Sequence, residues 1–206
     1  MGVGGADVGA GVWHGMRRSG RPGGVVRRGD SMPATAVHNG RMDLPTDDDL
    51  RCLGEILARA ALDRHLTVVT AESCTGGWIA KTLTDLAGSS AWFDCGMVVY
   101  SYEAKQALLG VNPHTLETHG AVSRETVVEM VSGALVHSAA SLAVAVTGIA
   151  GPGGGTPDKP VGTVWIGWKR RGGYPLAAVF HFEGDREAVR RQTVARALRG
   201  LIEHAR

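Results

Sequence analysis

Cysteine is scarce: the 206 residues hold only Cys52, Cys74 and Cys95. None stands in a C-x-x-C pair. An odd number at wide spacing supports neither a disulfide framework nor a zinc site, and fits a reduced, cytoplasmic chain. No apolar run approaches the roughly 18 residues of a membrane span. The N-terminus lacks the continuous apolar segment of a secretory leader. Charge of one sign is also missing: the net charge is +2. Residues 1–41 carry +4 and the remainder −2, so the alkaline balance comes from the N-terminal segment. A nucleic-acid-binding core would need Lys and Arg clustered on a folded face. Neither nucleic acid nor membrane is therefore an expected partner.

Several motifs are absent as well. No G-K-[ST] follows either glycine-rich stretch, so there is no P-loop, and no G-x-G-x-x-G stands between a strand and a helix. There is no G-x-S-x-G elbow. The eight histidines form no H-E-x-x-H. His114 and His119, in "HTLETH", are expected on a surface loop. No metal site and no cofactor are expected.

What is present reads as a single α/β domain. Residues 1–41 contain eleven glycines and no apolar period. Such a segment cannot offset its ordering entropy by burial, so it is expected to be a disordered extension before a domain of residues 42–206. Translation beginning at Met32 or Met42 is an alternative expectation for this segment. Thr46 is an N-cap, with Asp47, Asp48 and Asp49 in the first helical turn. Leu50, Leu53, Ile56, Leu57, Ala60 and Ala61 follow at helical spacing. The strand "LTVVT" comes next, then a glycine turn and a helix from Thr75 to Leu86. A second strand, "FDCGMVVYS", leads into the short helix "EAKQALLG". Ser123 caps "RETVVEMVSGALVHS". The strand "SLAVAVTG" is nearly all apolar, as expected when both faces are buried. A glycine- and proline-rich loop, residues 149–160, precedes a hairpin of "VGTVWIGWK" and "PLAAVFHFE". A helix from Asp185 to His204 closes the chain. Alternating strands and helices predict a three-layer α/β/α sandwich around a mixed, mostly parallel sheet.

In such sheets ligands sit beyond the carboxyl ends of the strands. "ESCTGG" (residues 72–77) lies at one end and "TGIAGPGGG" (residues 147–155) at another. Glycines let backbone N–H groups approach a ligand, and helix N-termini favour anions. Taken alone, Ser73 ahead of a helix reads as a cap, and Cys74 as a small buried thiol.

Five segments in order, "TAESCTGG", "VVYSYEAK", "HGAVSRETVVEMVSGA", "TGIAGPGGGTPDKPVGTV" and "GDREAVRRQTVARAL", resemble the CinA carboxy-terminal domain family. The resemblance runs from about Leu50 to Ala205. Larger members add a molybdopterin-binding-like domain; this chain resembles the stand-alone, nicotinamide-nucleotide amidase form. The resemblance implies deamidation of nicotinamide mononucleotide, a small-molecule substrate, within pyridine-nucleotide recycling. It implies Ser73 as nucleophile, Lys105 as its base and Tyr100 as a further catalytic residue. Thr75, Gly76, Gly77, Thr147 and Gly148 would line the substrate site, with Arg186 and Arg190 on the phosphate. A homodimer or higher homo-oligomer is expected. The chemistry is coherent, because a serine hydroxyl needs an adjacent base and Ser–Lys pairs are variants of the triad logic. Two other readings stand beside it: a non-catalytic nucleotide-binding or competence-associated module, and a hydrolase of another small amide or ester. One departure is plain. The family's usual "YSN" is "YSY" here, with Tyr102 in place of asparagine, which bears on which amide is accepted.

Overall fold

A capping box starts the first element. The Thr46 side chain accepts from the Asp49 N–H, and the Asp49 side chain accepts from the Thr46 N–H, which fixes the start of α1 (Asp47–Asp63). The computed structural model describes residues 44–206; the expected disordered extension, residues 1–41, lies outside the described residues. After α1 come β1 (Val68–Glu72), α2 (Trp78–Thr84), a 3₁₀ turn at Ser89–Ala91, β2 (Phe93–Val98) and α3 (Tyr102–Leu109). Then follow α4 (Pro113–His119), α5 (Arg124–Val136), β3 (Leu142–Gly148), β4 (Thr163–Arg170), β5 (Leu176–His181) and α6 (Arg186–Ala205).

The sheet order is β2-β1-β3-β4-β5. β1 pairs parallel with both β2 and β3, while β4 runs antiparallel to β3 and β5. Four of the five strands thus point one way, and β4 alone opposes them. Strand alternation divides the core. Val68, Leu142, Val144 and Val146 pack with residues of α1, α2 and α6. Val69, Ala71, Ala143 and Ala145 pack with residues of α3, α4 and α5. These are the three expected layers.

Two details differ from expectation and bear on the site. β1 continues to Glu72, so this carboxylate ends the strand and does not begin the turn. Residues 113–119 form α4 and not a loop. Asn112 accepts from the His114 N–H and Pro113 sits at the first helical position, a start signal that needs no apolar period. Gly133 matters for a third reason. A Cβ built there would overlap the Leu109 carbonyl, so only glycine lets α5 receive the end of α3.

Candidate active site

Parallel pairing places Glu72 opposite Val98, so β1 and β2 end level. The Val99 N–H donates to the Glu72 carbonyl at 2.8 Å and extends this match by one residue. Ser101 then caps α3, accepting from the Ala104 N–H at 3.1 Å. Lys105 lies in the first turn after that cap. Helical side chains lean toward their N-terminus, and this one reaches back over the strand ends. Its Nζ lies 3.1 Å from Ser73 Oγ, 2.9 Å from the Val99 carbonyl and 3.3 Å from the Tyr100 carbonyl. Lys105 is 1% exposed and Ser73 8%. No carboxylate pairs with the lysine among the described residues. Burial therefore pulls its pKa below the ordinary lysine value.

Ser73 is not the cap of α2, contrary to the reading from position alone. The residue at that cap is Gly77, with φ +92°, and it offers no side chain. The capping oxygens come from Glu72. Its Oε2 accepts from Thr75 Oγ1 at 2.7 Å and from the Ile79 N–H at 3.0 Å. Its Oε1 accepts from the Ala80 N–H at 2.8 Å and from Thr70 Oγ1 at 3.2 Å. The Ser73 hydroxyl is thereby left to Lys105. Cys74 is buried, and burial pushes its thiol up to about 12, so the neighbouring sulfur is protonated and unreactive at neutral pH.

The turn itself is held on two sides. The Ser73 N–H donates to the Val146 carbonyl at 3.1 Å, and the Gly76 N–H to the Ser73 carbonyl at 3.1 Å. Arg190 donates from Nε to the Cys74 carbonyl at 3.1 Å and from Nη2 to the Thr75 carbonyl at 2.7 Å. Among the described residues, the N–H groups of Cys74, Thr75 and Gly77 have no protein acceptor. Gly76, Gly77, Trp78, Lys81 and Arg190 line an open cleft of about 300 Å³ beside the turn.

The other expected residues lie around this centre at differing removes. Thr147 ends β3 next to β1, and its hydroxyl donates to the Ala121 carbonyl at 2.8 Å. Gly148 is required by packing, since a Cβ there would press on Val164 and the Thr163 carbonyl. The Tyr100 side chain is 62% exposed. Its phenol accepts from Arg186 Nη2 at 3.0 Å, so the structure shows its carbonyl, and not its hydroxyl, on Lys105. Arg186 also donates from Nη1 to the Gly151 carbonyl at 2.7 Å. Neither Arg186 nor Arg190 pairs with a carboxylate among the described residues; the nearby acids Asp47, at the start of α1, and Glu187, on α6, pair with Arg191. Tyr102, the departure from the family pattern, accepts from the Ala121 N–H at 3.2 Å. It thus ties α3 to the segment before α5. Glu72 is the residue that sequence reasoning quoted but gave no role. Its signal was an acid at the end of an apolar strand.

No group of three or more His, Cys, Asp or Glu side chains suited to a metal ion occurs among the described residues. No described helix is long and apolar enough to cross a membrane.

Comparison with known proteins identifies the family and agrees with the fold. The model of the CinA C-terminal domain matches residues 51–205. The nicotinamide-nucleotide amidohydrolase PncC of Escherichia coli K12 is 53% identical over 156 residues, covering 76% of this chain and 94% of that protein. The protein of the same name from Pseudomonas putida is 52% identical over 151 residues, covering 73% and 91%. Among solved structures, the competence/damage inducible protein CihA of Agrobacterium tumefaciens superposes with a TM-score of 0.74 at 47% identity, covering 78% of this chain and 96% of that one. A CinA superfamily protein of Klebsiella pneumoniae 700603 gives 0.73 at 42% identity, covering 76% and 97%. The chain therefore belongs to the CinA C-terminal domain family.

Proposed function

We propose that the chain hydrolyses the carboxamide of nicotinamide mononucleotide, giving nicotinate mononucleotide and ammonia, with Ser73 as nucleophile and Lys105 as base. The observation that carries this is the buried 3.1 Å contact between Lys105 Nζ and Ser73 Oγ. A neutral amine has two hydrogens and one lone pair. Two carbonyls, of Val99 and Tyr100, stand ready for the hydrogens, and the serine hydroxyl for the lone pair. Burial lowers the lysine pKa and so raises the share of that neutral form. The close relatives named as nicotinamide-nucleotide amidohydrolases support the choice of amide.

The steps balance within these groups. Lys105 takes the Ser73 proton as Oγ bonds to the carboxamide carbon. The resulting oxyanion is held by free N–H groups of the turn at Cys74, Thr75 and Gly77; one such donor is worth about 3 kcal/mol. As the C–N bond breaks, Lys105 returns the proton and ammonia leaves. Water then attacks the acyl-serine, again giving its proton to Lys105; as the Oγ–C bond breaks, Lys105 passes that proton to Ser73 Oγ, the acid departs, and both residues return to their starting forms. No metal or cofactor enters. Thr75, Gly76, Gly77, Thr147 and Gly148 form the substrate walls. Arg186 and Arg190 take the phosphate, each with a guanidinium nitrogen left free by its protein contacts, Nε on Arg186 and Nη1 on Arg190. Tyr100 contributes through its carbonyl to Lys105 and through its phenol to Arg186. A cytoplasmic location and a homodimer or larger assembly belong to the same proposal; sedimentation of the purified chain tests the latter.

Ammonia release measured with nicotinamide mononucleotide, nicotinamide riboside and free nicotinamide tests the reading. Turnover is expected to be fastest for the mononucleotide. No release from any of the three would overturn it, and equal rates on all three would overturn the phosphate role.

A further inference from the structure

Glu72 is 0% exposed and forms no ion pair among the described residues. Its two oxygens accept four hydrogen bonds: from the Thr70 and Thr75 hydroxyls and from the Ile79 and Ala80 N–H groups. Four donors fill the capacity of a carboxylate. None of its lone pairs is left for substrate or for a proton in transit. Strand alternation sends consecutive side chains to opposite faces. Accordingly Glu72 meets α2 while Ser73 meets Lys105 on α3. The acid thus holds the turn from the side away from the chemistry. Through Thr75 it grips the middle of the turn, and through Ile79 and Ala80 it fixes the helix into which the turn feeds. Gly76 and Gly77, both at positive φ, give the turn no side-chain anchor of their own.

We propose that Glu72 is the positioning residue of the nucleophile turn, holding Ser73 against Lys105 through Thr75 and the first turn of α2. This rests on the reading of Ser73 as the nucleophile.

Glu72→Gln is the test. The amide keeps the size but replaces one oxygen by an NH₂, which must face a backbone N–H that can only donate, of Ile79 or of Ala80. The expected result is a loss in kcat of about 10²-fold, the scale set by a misplacement of about 1 Å. KM should change little, and the midpoint of the acidic limb of the rate profile should stay in place, because the surroundings of Lys105 are untouched. The Ile79 and Ala80 amides should exchange with solvent faster. A kcat equal to wild type, in a variant that only melts earlier, would overturn the proposal and leave Glu72 as a cap alone. A shifted acidic limb would overturn it too, because Glu72 would then act on the lysine. If the glutamine variant does not fold, Thr70→Val decides. It removes one of the four donors isosterically and should lower kcat by a smaller factor at unchanged KM; unchanged kcat would count against the proposal. Should the wild-type protein release no ammonia from nicotinamide mononucleotide, the amidase reading falls separately. A crystal structure of Glu72→Gln then judges the positioning role: a widened Ser73–Lys105 separation upholds it, and one still at 3.1 Å sinks it.

Discussion

Replacing Lys105 by methionine removes the amine while keeping an unbranched apolar stem in a buried site. With the amine gone, nothing else is bonded to the Ser73 hydroxyl among the described residues. The loss of a positioned acid–base group typically costs about 10²–10⁴ in rate. At about 1.4 kcal/mol per factor of ten, that is roughly 3–5 kcal/mol added to the barrier. Lys105→Arg should fare little better. A guanidinium keeps its proton at any working pH and cannot accept one from serine. Ammonia release should therefore be followed as kcat across a pH series ending near the ordinary lysine value of about 10.4. In the wild type kcat should rise with pH, levelling above the lowered pKa of Lys105. Both variants should lose that limb. An arginine variant with near-normal kcat and the same profile would refute the argument, since Lys105 would then contribute only charge. The search for a base would pass to Tyr100, which would first have to release Arg186.

The same lysine makes a stability prediction of definite sign. Its folded pKa lies below the unfolded value because burial disfavours the ammonium. Below the folded pKa both states are protonated, and the folded protein carries the full cost of a buried charge. Between the folded pKa and about 10.4 the unfolded chain binds more protons, so stability rises with pH. The methionine variant has no such rise. Melting temperatures of the two proteins, compared over that window, should move in favour of the wild type as pH increases. A gap independent of pH would show that the folded lysine titrates like a free one.

Four further substitutions test other parts of the reading. Ser73→Ala should abolish ammonia release with an unchanged circular dichroism spectrum, and with less than the roughly 1 kcal/mol lost with a true cap; normal kcat would remove Ser73 from the chemistry. Arg186→Ala and Arg190→Ala should raise KM for nicotinamide mononucleotide more than they lower kcat, and an equal weakening on the riboside, which has no phosphate, would refute the phosphate role. Gly133→Ala should lower the melting temperature, despite the better helix propensity of alanine, by an overpacking cost of about 1–3 kcal/mol against the Leu109 carbonyl. Because that carbonyl ends the helix bearing Lys105, kcat should fall as well; an unchanged melting temperature would mean that α3 moves freely.

The layers were legible because local rules act at short range. Thr46 and Ser123 cap their helices as the sequence suggests, while Asp185, read there as the first helical residue, is the cap of α6. The apolar run at residues 142–146 is buried on both faces. Helix α4 escaped because seven residues are too few to show a period, and it buries only Leu116. Its Asn-Pro start was the better guide. The site was less legible, for a different reason. Ser73 and Lys105 lie 32 residues apart, and their contact depends on the parallel register of β1 with β2. Nothing local sets that register, so only the family resemblance joined the two.

The assignment of Ser73 as a cap failed through a rule applied at too short a range. Capping arguments look for an oxygen within three residues of the helical N–H groups. Here the oxygens come from Glu72, seven and eight residues before the amides that it receives. Alternation along the strand would have exposed the error. If Glu72 ends a strand buried on both faces, its carboxylate must find donors or forfeit its solvation. The nearest unsatisfied donors are the first N–H groups of the following helix. Once they are taken, Ser73 has no helix to cap and faces the opposite layer, where the next helix carries a lysine. A buried acid at a strand end, followed by a serine and two glycines, thus reads as a support on one face and a reactive group on the other. Neither half could be placed until the strand was known to run one residue past its apolar core.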